Sequence, residues 1–109
     1  MLVAKHTYRA SAPWGIPGGW VRRGEDPAQA VVREIREETA FEVEIIGPLS
    51  VRVESPTHLT VVYGARLIGG TFRPSSEVSE VRFLERGVLP DGLREDHRAL
   101  IGTFGWRSA

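Results

Sequence analysis

The order of apolar and polar residues along the chain predicts several strands and two helices. Residues 2–8 are typical of a short strand, and residues 11–19 are dense in the proline and glycine of a loop. A helix is predicted from Pro27 to Thr39, because Asp26 can cap its free amides and proline suits the first helical position. Further strands are predicted at residues 43–46, 49–53, 57–68 and 81–84, and a closing helix at residues 93–104.

This order of elements predicts the fold class. A strand, a helix, several strands and a final helix are typical of an α/β sandwich with a mixed sheet. In the first helix the apolar residues recur at helical spacing and predict the face that packs on the sheet; they are Ala28, Val31, Val32 and Ile35. The glutamates of the same helix are expected to lie outside the core.

Length, charge and composition narrow the class of protein. A chain of 109 residues is long enough for one domain and too short for two ordinary ones. Lysine plus arginine and aspartate plus glutamate both number 14, and this balance argues against a dedicated nucleic-acid binder. The absence of cysteine excludes disulfides and thiolate chemistry. The apolar runs are too short to span a membrane and the start lacks a signal-peptide core, so a cytoplasmic location is expected.

Three glutamates on the predicted helix are the first candidate site. Glu34, Glu37 and Glu38 are spaced i, i+3 and i+4, so they lie within about 100° of one another around the helix. Like charges this close repel, and a divalent cation such as Mg²⁺ would turn the repulsion into ligation. The alternative is an ordinary solvated face. The preceding Gly18 and Gly19 allow the backbone to approach a phosphate or a metal, or else form a plain turn.

The spacing of these residues resembles a known motif. Gly19, five residues, Glu25, seven residues and then residues 33–41 (REIREETAF) match the Nudix box in every charged position. Ala40 stands where that family usually has glycine, and Phe41 is aromatic where the family has an aliphatic residue. The glycine ends the helix with positive φ, so an alanine there is expected to cost about 1 kcal/mol.

The resemblance implies an activity. Nudix hydrolases have an α/β/α sandwich with a mixed sheet and use Mg²⁺ (or Mn²⁺) to cleave the phosphoanhydride of a nucleoside diphosphate linked to another moiety. ADP-ribose-like compounds and nucleoside triphosphates both stay open as substrates. Pro56, which lies 15 residues after Phe41, is a family hint of ADP-ribose hydrolysis. The alternative function is a catalytically weak Nudix-fold module that binds or senses a nucleotide.

The resemblance also implies residue roles within the box. Glu37 and Glu38 are expected to bind the metal directly, and Glu34 to be a third ligand or the base that orients water. A carbonyl of Gly18 or Gly19 completes the metal shell in this interpretation. Catalysis would involve Glu34, Glu37 and Arg33, which orients a carboxylate, while Glu25 braces the loop against the helix.

Outside the box, the resemblance reaches most of the chain. Glu77 and Glu80 lie where the family supplies a further acid or a base-recognising carboxylate, although exposed loop acids are an equal alternative. His58 is a candidate substrate contact, although such a residue is more often part of a strand. The family's usual first strand has no counterpart before Leu2, so we expect a single domain over residues 1–109 that lacks it. Either a mobile first strand or a homodimer would follow from the unpaired edge.

Overall fold

The computed structural model describes residues 2–8, 11, 13–83, 91–94 and 97. Its elements in chain order are strand β1 (Leu2–His6), strand β2 (Trp14–Gly15), helix α1 (Pro27–Thr39), strand β3 (Glu42–Ser55), strand β4 (His58–Gly69) and strand β5 (Val78–Phe83). The helix packs mainly on β3. This arrangement confirms the α/β class.

Helix α1 has the bounds that the sequence predicts. The backbone of Asp26 is extended, and its carboxylate accepts a hydrogen bond from the amide of Ala28 at 2.9 Å. The helix ends at Ala40, which is left-handed with φ 65° and donates its amide to the Arg36 carbonyl. The expected positive φ at this position is therefore confirmed. Glycine adopts this conformation without steric cost, whereas the Cβ atom of an alanine makes it unfavourable.

The first sheet has the order β2-β1-β5, with β1 antiparallel to both neighbours. Because β1 is paired on both sides and Val3 and Ala4 are fully buried, the prediction of a first strand with an unpaired edge is wrong. The prediction of an uninterrupted loop over residues 11–19 is also wrong, since Trp14 and Gly15 pair with β1. The hydrophobic core around Val3 includes Trp14 and Leu93.

The first residue of the predicted closing helix, Leu93, pairs with a strand instead. Leu93 forms an isolated parallel bridge with Trp14 and is buried, and the amide of Arg94 donates to the Trp14 carbonyl. This parallel bridge, beside antiparallel strands, makes the β structure mixed. Residues 95–96 and 98–104 of the predicted helix lie outside the described residues.

Strands β3 and β4 form a separate antiparallel hairpin. The sequence predicts two strands broken at Gly47 and Pro48, whereas β3 is one strand with register irregularities on either side of these two residues. Proline has no amide hydrogen to donate, but a β-bulge leaves a residue unpaired while the strands on either side stay paired. The strand therefore continues past Pro48. The hairpin turns at Pro56 and Thr57.

The helix buries a different set of residues from the one expected. Ala30, Ile35, Glu38 and Thr39 are buried, while the other predicted apolar positions are half-buried. The expectation that the glutamates lie outside the core is wrong for Glu38, which is 4% exposed. Within the described residues, no helix is long and apolar enough to cross a membrane.

Candidate metal and active site

Arg33 is the centre of a hydrogen-bond network that joins helix α1 to the loop before it. Its guanidinium donates two bonds to the Glu25 carboxylate, at 2.8 and 2.9 Å, in a bidentate arrangement. It also donates to Glu34 at 2.6 Å, to Glu37 at 3.3 Å and to the Trp20 carbonyl at 3.0 Å. One side chain therefore sets the positions of two box glutamates relative to the loop.

Glu25 is held as an anion by this network. Hydrogen bonds from Arg33, and a further one from the Arg22 amide at 3.0 Å, lower the pKa of the Glu25 carboxyl from 4.5 to about 2. The same contacts with Glu25 and Glu34 raise the pKa of the Arg33 guanidinium. The contacts agree with the role of loop brace that the sequence indicates for Glu25.

Two carboxylates of α1 and one from a distant part of the chain lie together beside this network. Carboxylate oxygens of Glu34, Glu38 and Glu77 all lie within 4.8 Å of one another. Glu34 and Glu38 are one turn apart on α1, and Glu77 comes from the segment directly before β5. The Glu77 carbonyl accepts from the Thr7 amide at 2.9 Å, which fixes this segment against the end of β1.

The cluster has the electrostatics of a cation site. Burial, together with the nearby carboxylates of Glu34 and Glu77, raises the pKa of Glu38 to about 8. The Oε2 atom of Glu38 is buried and has no hydrogen-bond partner. A buried carboxylate oxygen without a donor is costly, and a hard divalent cation bound by oxygen ligands would satisfy it. The residues present therefore fit a metal such as Mg²⁺.

Gly19 is packed directly against this cluster. A Cβ atom added at Gly19 would lie 2.5 Å from the carboxyl carbon of Glu34. Only glycine leaves room for the Glu34 carboxylate in its present position. A Cβ added at Gly18 would meet nothing within 4 Å, so the same requirement does not apply there.

Three other predicted site residues, Glu37, Glu80 and His58, are not part of this group of carboxylates. Glu37 has a half-exposed side chain paired with Arg33 and, at 3.5 Å, with Arg22. Glu80 is exposed on β5, where its register partner is Lys5. His58 is exposed at the start of β4. In the described part of the chain, the group of carboxylates able to share one ion comprises neither Glu37 nor Glu80.

Two features of the site go beyond what the sequence predicts. For Glu77 the sequence leaves open a further acid, a base-recognising carboxylate or an exposed loop acid. Its side chain is exposed in the structure, and its carboxylate also lies beside two box glutamates. Sequence spacing carries no signal for this long-range contact. The sequence also predicts no role for Trp20, and the signal that could have found it is its place directly after Gly19.

Comparisons with known proteins agree with this geometry. A model of the NUDIX domain matches residues 1–104. The chain is 33% identical over 110 residues to an ADP-ribose pyrophosphatase of Methanocaldococcus jannaschii, covering 95% of this chain and 64% of that protein. It is 32% identical over 96 residues to a CMP-5'-(N-acetyl-N-hydroxy-3-aminopropyl)phosphonate hydrolase of Streptomyces rubellomurinus, covering 83% of this chain and 46% of that protein.

The chain thus spans about half to two-thirds of the length of these two relatives. Among solved structures, a MutT NUDIX hydrolase from Burkholderia pseudomallei matches with a TM-score of 0.77 and 26% identity. That match covers 94% of this chain and 86% of the other. It confirms the sandwich fold expected from the sequence.

Proposed function

The chain belongs to the Nudix family, and on this basis we propose that it is a metal-dependent hydrolase of a phosphoanhydride bond. Its substrate in this proposal is a small molecule in which a nucleoside diphosphate is linked to another moiety. We also propose that residues 1–109 form one domain.

The observation that supports the proposal best is the convergence of Glu34, Glu38 and Glu77, with one buried oxygen of Glu38 left without a donor. We assign these three carboxylates as the metal ligands and a backbone carbonyl of Gly18 or Gly19 as a further one. Mg²⁺ is the proposed ion, because it takes a few carboxylates and completes its octahedron with water and phosphate oxygens. Mn²⁺ accepts the same oxygen donors.

The remaining polar residues prepare the site for hydrolysis. When bound, the metal would neutralise the diphosphate and lower the pKa of a coordinated water. Arg33 holds Glu34 at 2.6 Å and Glu37 at 3.3 Å, so it orients both carboxylates. Glu37 is half-exposed, and we assign it the task of accepting a proton from the attacking water. Glu25 holds Arg33 from the opposite side.

Substrate preference is proposed from the relatives. One of them is named an ADP-ribose pyrophosphatase, and Pro56 in this chain agrees with that family hint. We therefore place ADP-ribose-like compounds first and nucleoside triphosphates second. His58, Glu77 and Glu80 are the candidate substrate contacts outside the box, with Glu77 shared between substrate and metal.

The test is a screen of nucleoside diphosphate derivatives in the presence of Mg²⁺ or Mn²⁺, with phosphate released by a coupled phosphatase. We expect metal-dependent release from at least one ADP-linked compound. Binding of these compounds without hydrolysis, measured by calorimetry, would instead support the nucleotide-sensing alternative. Absence of both metal binding and hydrolysis would contradict the assigned site.

We further propose a homodimer in the cytoplasm as the working form. Because β1 is paired on both sides, its edge no longer supports this assembly. The exposed apolar residues of the β3–β4 hairpin do: Val51, Val53 and Leu59 are each more than 60% exposed. Sedimentation at several concentrations is the test, and a monomer throughout would contradict the dimer.

A further inference from the structure

An exposed aromatic residue stands directly beside the candidate metal site. Trp20 is 76% exposed, although a tryptophan side chain gains more from burial than almost any other. It follows Gly19, the residue packed against Glu34. The indole contacts a second exposed ring, that of His58, so the two rings form an exposed aromatic patch rather than a single exposed residue.

The backbone of Trp20 is fixed relative to the acidic cluster. Its carbonyl accepts a hydrogen bond from Arg33 at 3.0 Å, and the same guanidinium binds Glu34 at 2.6 Å. The backbone that carries the indole is therefore tied, through one side chain, to a proposed metal ligand. A ring on a fixed backbone has fewer conformations to lose when a ligand covers it.

A second ring from the hairpin supports the indole. The ring centroids of Trp20 and His58 lie 5.3 Å apart with an interplanar angle of 57°. His58 is in turn held at Nδ1 by the hydroxyl groups of Ser55 and Thr57, at 2.9 and 3.1 Å. His58 also lines an open hollow at the hairpin turn together with Val53 and Leu59. The ring pair is thus anchored at both ends and open on the solvent side.

We infer that Trp20, supported by His58, is the platform on which the nucleobase of the substrate stacks while the diphosphate lies on the acidic cluster. This inference rests on the proposed function and adds the residue that recognises the nucleoside half. Stacking on an aromatic face accepts any base, because every base has a π-face. A bicyclic purine covers more of an indole than a pyrimidine does, so purine nucleotides are the preferred class.

The experiment measures affinity with probes that cannot be hydrolysed. Wild type and Trp20→Ala are titrated by calorimetry, with Mg²⁺ present, against ADP whose bridging oxygen is replaced by methylene. Methylenediphosphonate, which has no base, and the corresponding CDP analogue are titrated in parallel. Val21→Ala is the matched control, since Val21 is the neighbouring exposed apolar residue at 49% exposure. Trp20→Phe tests whether another ring rescues the binding.

We expect Trp20→Ala to lower the affinity for the ADP analogue roughly 10- to 100-fold and to leave the affinity for methylenediphosphonate unchanged. The affinity of Trp20→Ala for the CDP analogue should fall by a smaller factor. Trp20→Phe should retain most of the affinity for the ADP analogue, and Val21→Ala should bind it as wild type does. His58→Ala should give a smaller loss in the same direction. Because Trp20 is exposed, none of these variants is expected to unfold, and thermal melts check this.

Three outcomes would overturn the inference: unchanged affinity of Trp20→Ala for the ADP analogue, an equal loss for methylenediphosphonate, or no binding of the ADP analogue by wild type. Failure of the hydrolase proposal is distinguishable. In that case the wild type hydrolyses no substrate in the screen, yet base-dependent binding through Trp20 persists. Normal hydrolysis with Trp20-independent binding would overturn this inference alone.

Discussion

The box segment (residues 19–41) and the β3–β4 hairpin differ in the contacts that hold them in place. In the box segment, Arg33 binds two loop groups and two helix carboxylates, and Gly19 has room for nothing beyond its hydrogen atoms. In the hairpin, every position of both strands is half-buried or exposed, and Val53 is 76% exposed. One region is fixed by specific polar contacts, and the other is an open surface.

The two regions suit different tasks, chemistry on the diphosphate and recognition of the rest of the substrate. Chemistry on a diphosphate needs charges held at fixed distances, and the box segment provides them through many mutual contacts. Recognition of the rest of a substrate needs a surface that can change from one protein to another, which is the usual property of exposed strands and loops. Substitutions should therefore have large effects in the first region and small effects in the second.

The largest effect is expected for Glu38→Gln. Removing this charge should lower turnover by more than about 100-fold, because even groups behind a metal ligand contribute about 10- to 100-fold. The rise in melting temperature on adding Mg²⁺ should disappear. The metal-free variant should melt no lower than wild type, since a buried carboxylate is removed from beside Glu34 and Glu77. Glu44→Gln, at an exposed position on β3, is the control, and equal metal responses in both variants would contradict the ligand assignment.

Gly19→Ala is expected to have the next largest effect. The new methyl group displaces the Glu34 carboxylate, which is flexible at its end, so the fold should survive while Mg²⁺ affinity falls about tenfold. Gly47→Ala is the matched control, because an added Cβ there meets nothing within 4 Å. Calorimetry with Mg²⁺ measures both variants. Equal affinities would show that the close approach of Gly19 to Glu34 has no role in metal binding.

The Glu25–Arg33 pair predicts a pH dependence of stability. The pKa of Glu25 is about 2 in the folded chain and ordinarily 4.5, so its contribution to stability is complete above 4.5 and is lost as the pH falls toward 2. Glu25→Gln should remove this contribution. Melting temperatures measured between pH 5 and 3 should therefore fall more steeply for wild type than for the variant. Parallel slopes would exclude Glu25 as the responsible group.

A smaller effect is expected for Ala40→Gly. Because Ala40 is left-handed, glycine should stabilise the chain by up to about 1 kcal/mol, observed as a higher melting temperature. Turnover should not change, since the helix end already has the required conformation. A lower melting temperature would mean that the contacts of the methyl group outweigh the backbone cost.

The smallest effect is expected in the hairpin. Val53→Thr keeps the β-branched shape at a position that is 76% exposed, so the free energy of unfolding should change by less than about 0.5 kcal/mol. Chemical denaturation measures it. The measurement is made at a concentration at which the chain is monomeric, because the proposed dimer covers this face. A loss of several times this amount in the monomer would contradict the prediction.

The local features of this protein can be predicted from its sequence. The bounds of α1, the cap at Asp26 and the positive φ at Ala40 depend on residues within a few positions of one another, so a single segment encodes them. The same holds for the spacing that places Glu34 and Glu38 on one helix face. Because these features depend on residues close in sequence, a family motif can be identified from a single sequence.

Contacts between distant segments could not be predicted in this way. Glu38 is buried and its carboxylate lies beside that of Glu77, almost forty positions away, whereas the helical pattern alone places the glutamates outside the core. Thr39, whose position in the motif is unspecified, is fully buried and bonds the Ile35 carbonyl at 2.6 Å. The contact of Trp20 with His58 likewise joins a loop to a hairpin. Such contacts depend on how elements pack, and packing is set by the shape of the whole chain rather than by local spacing.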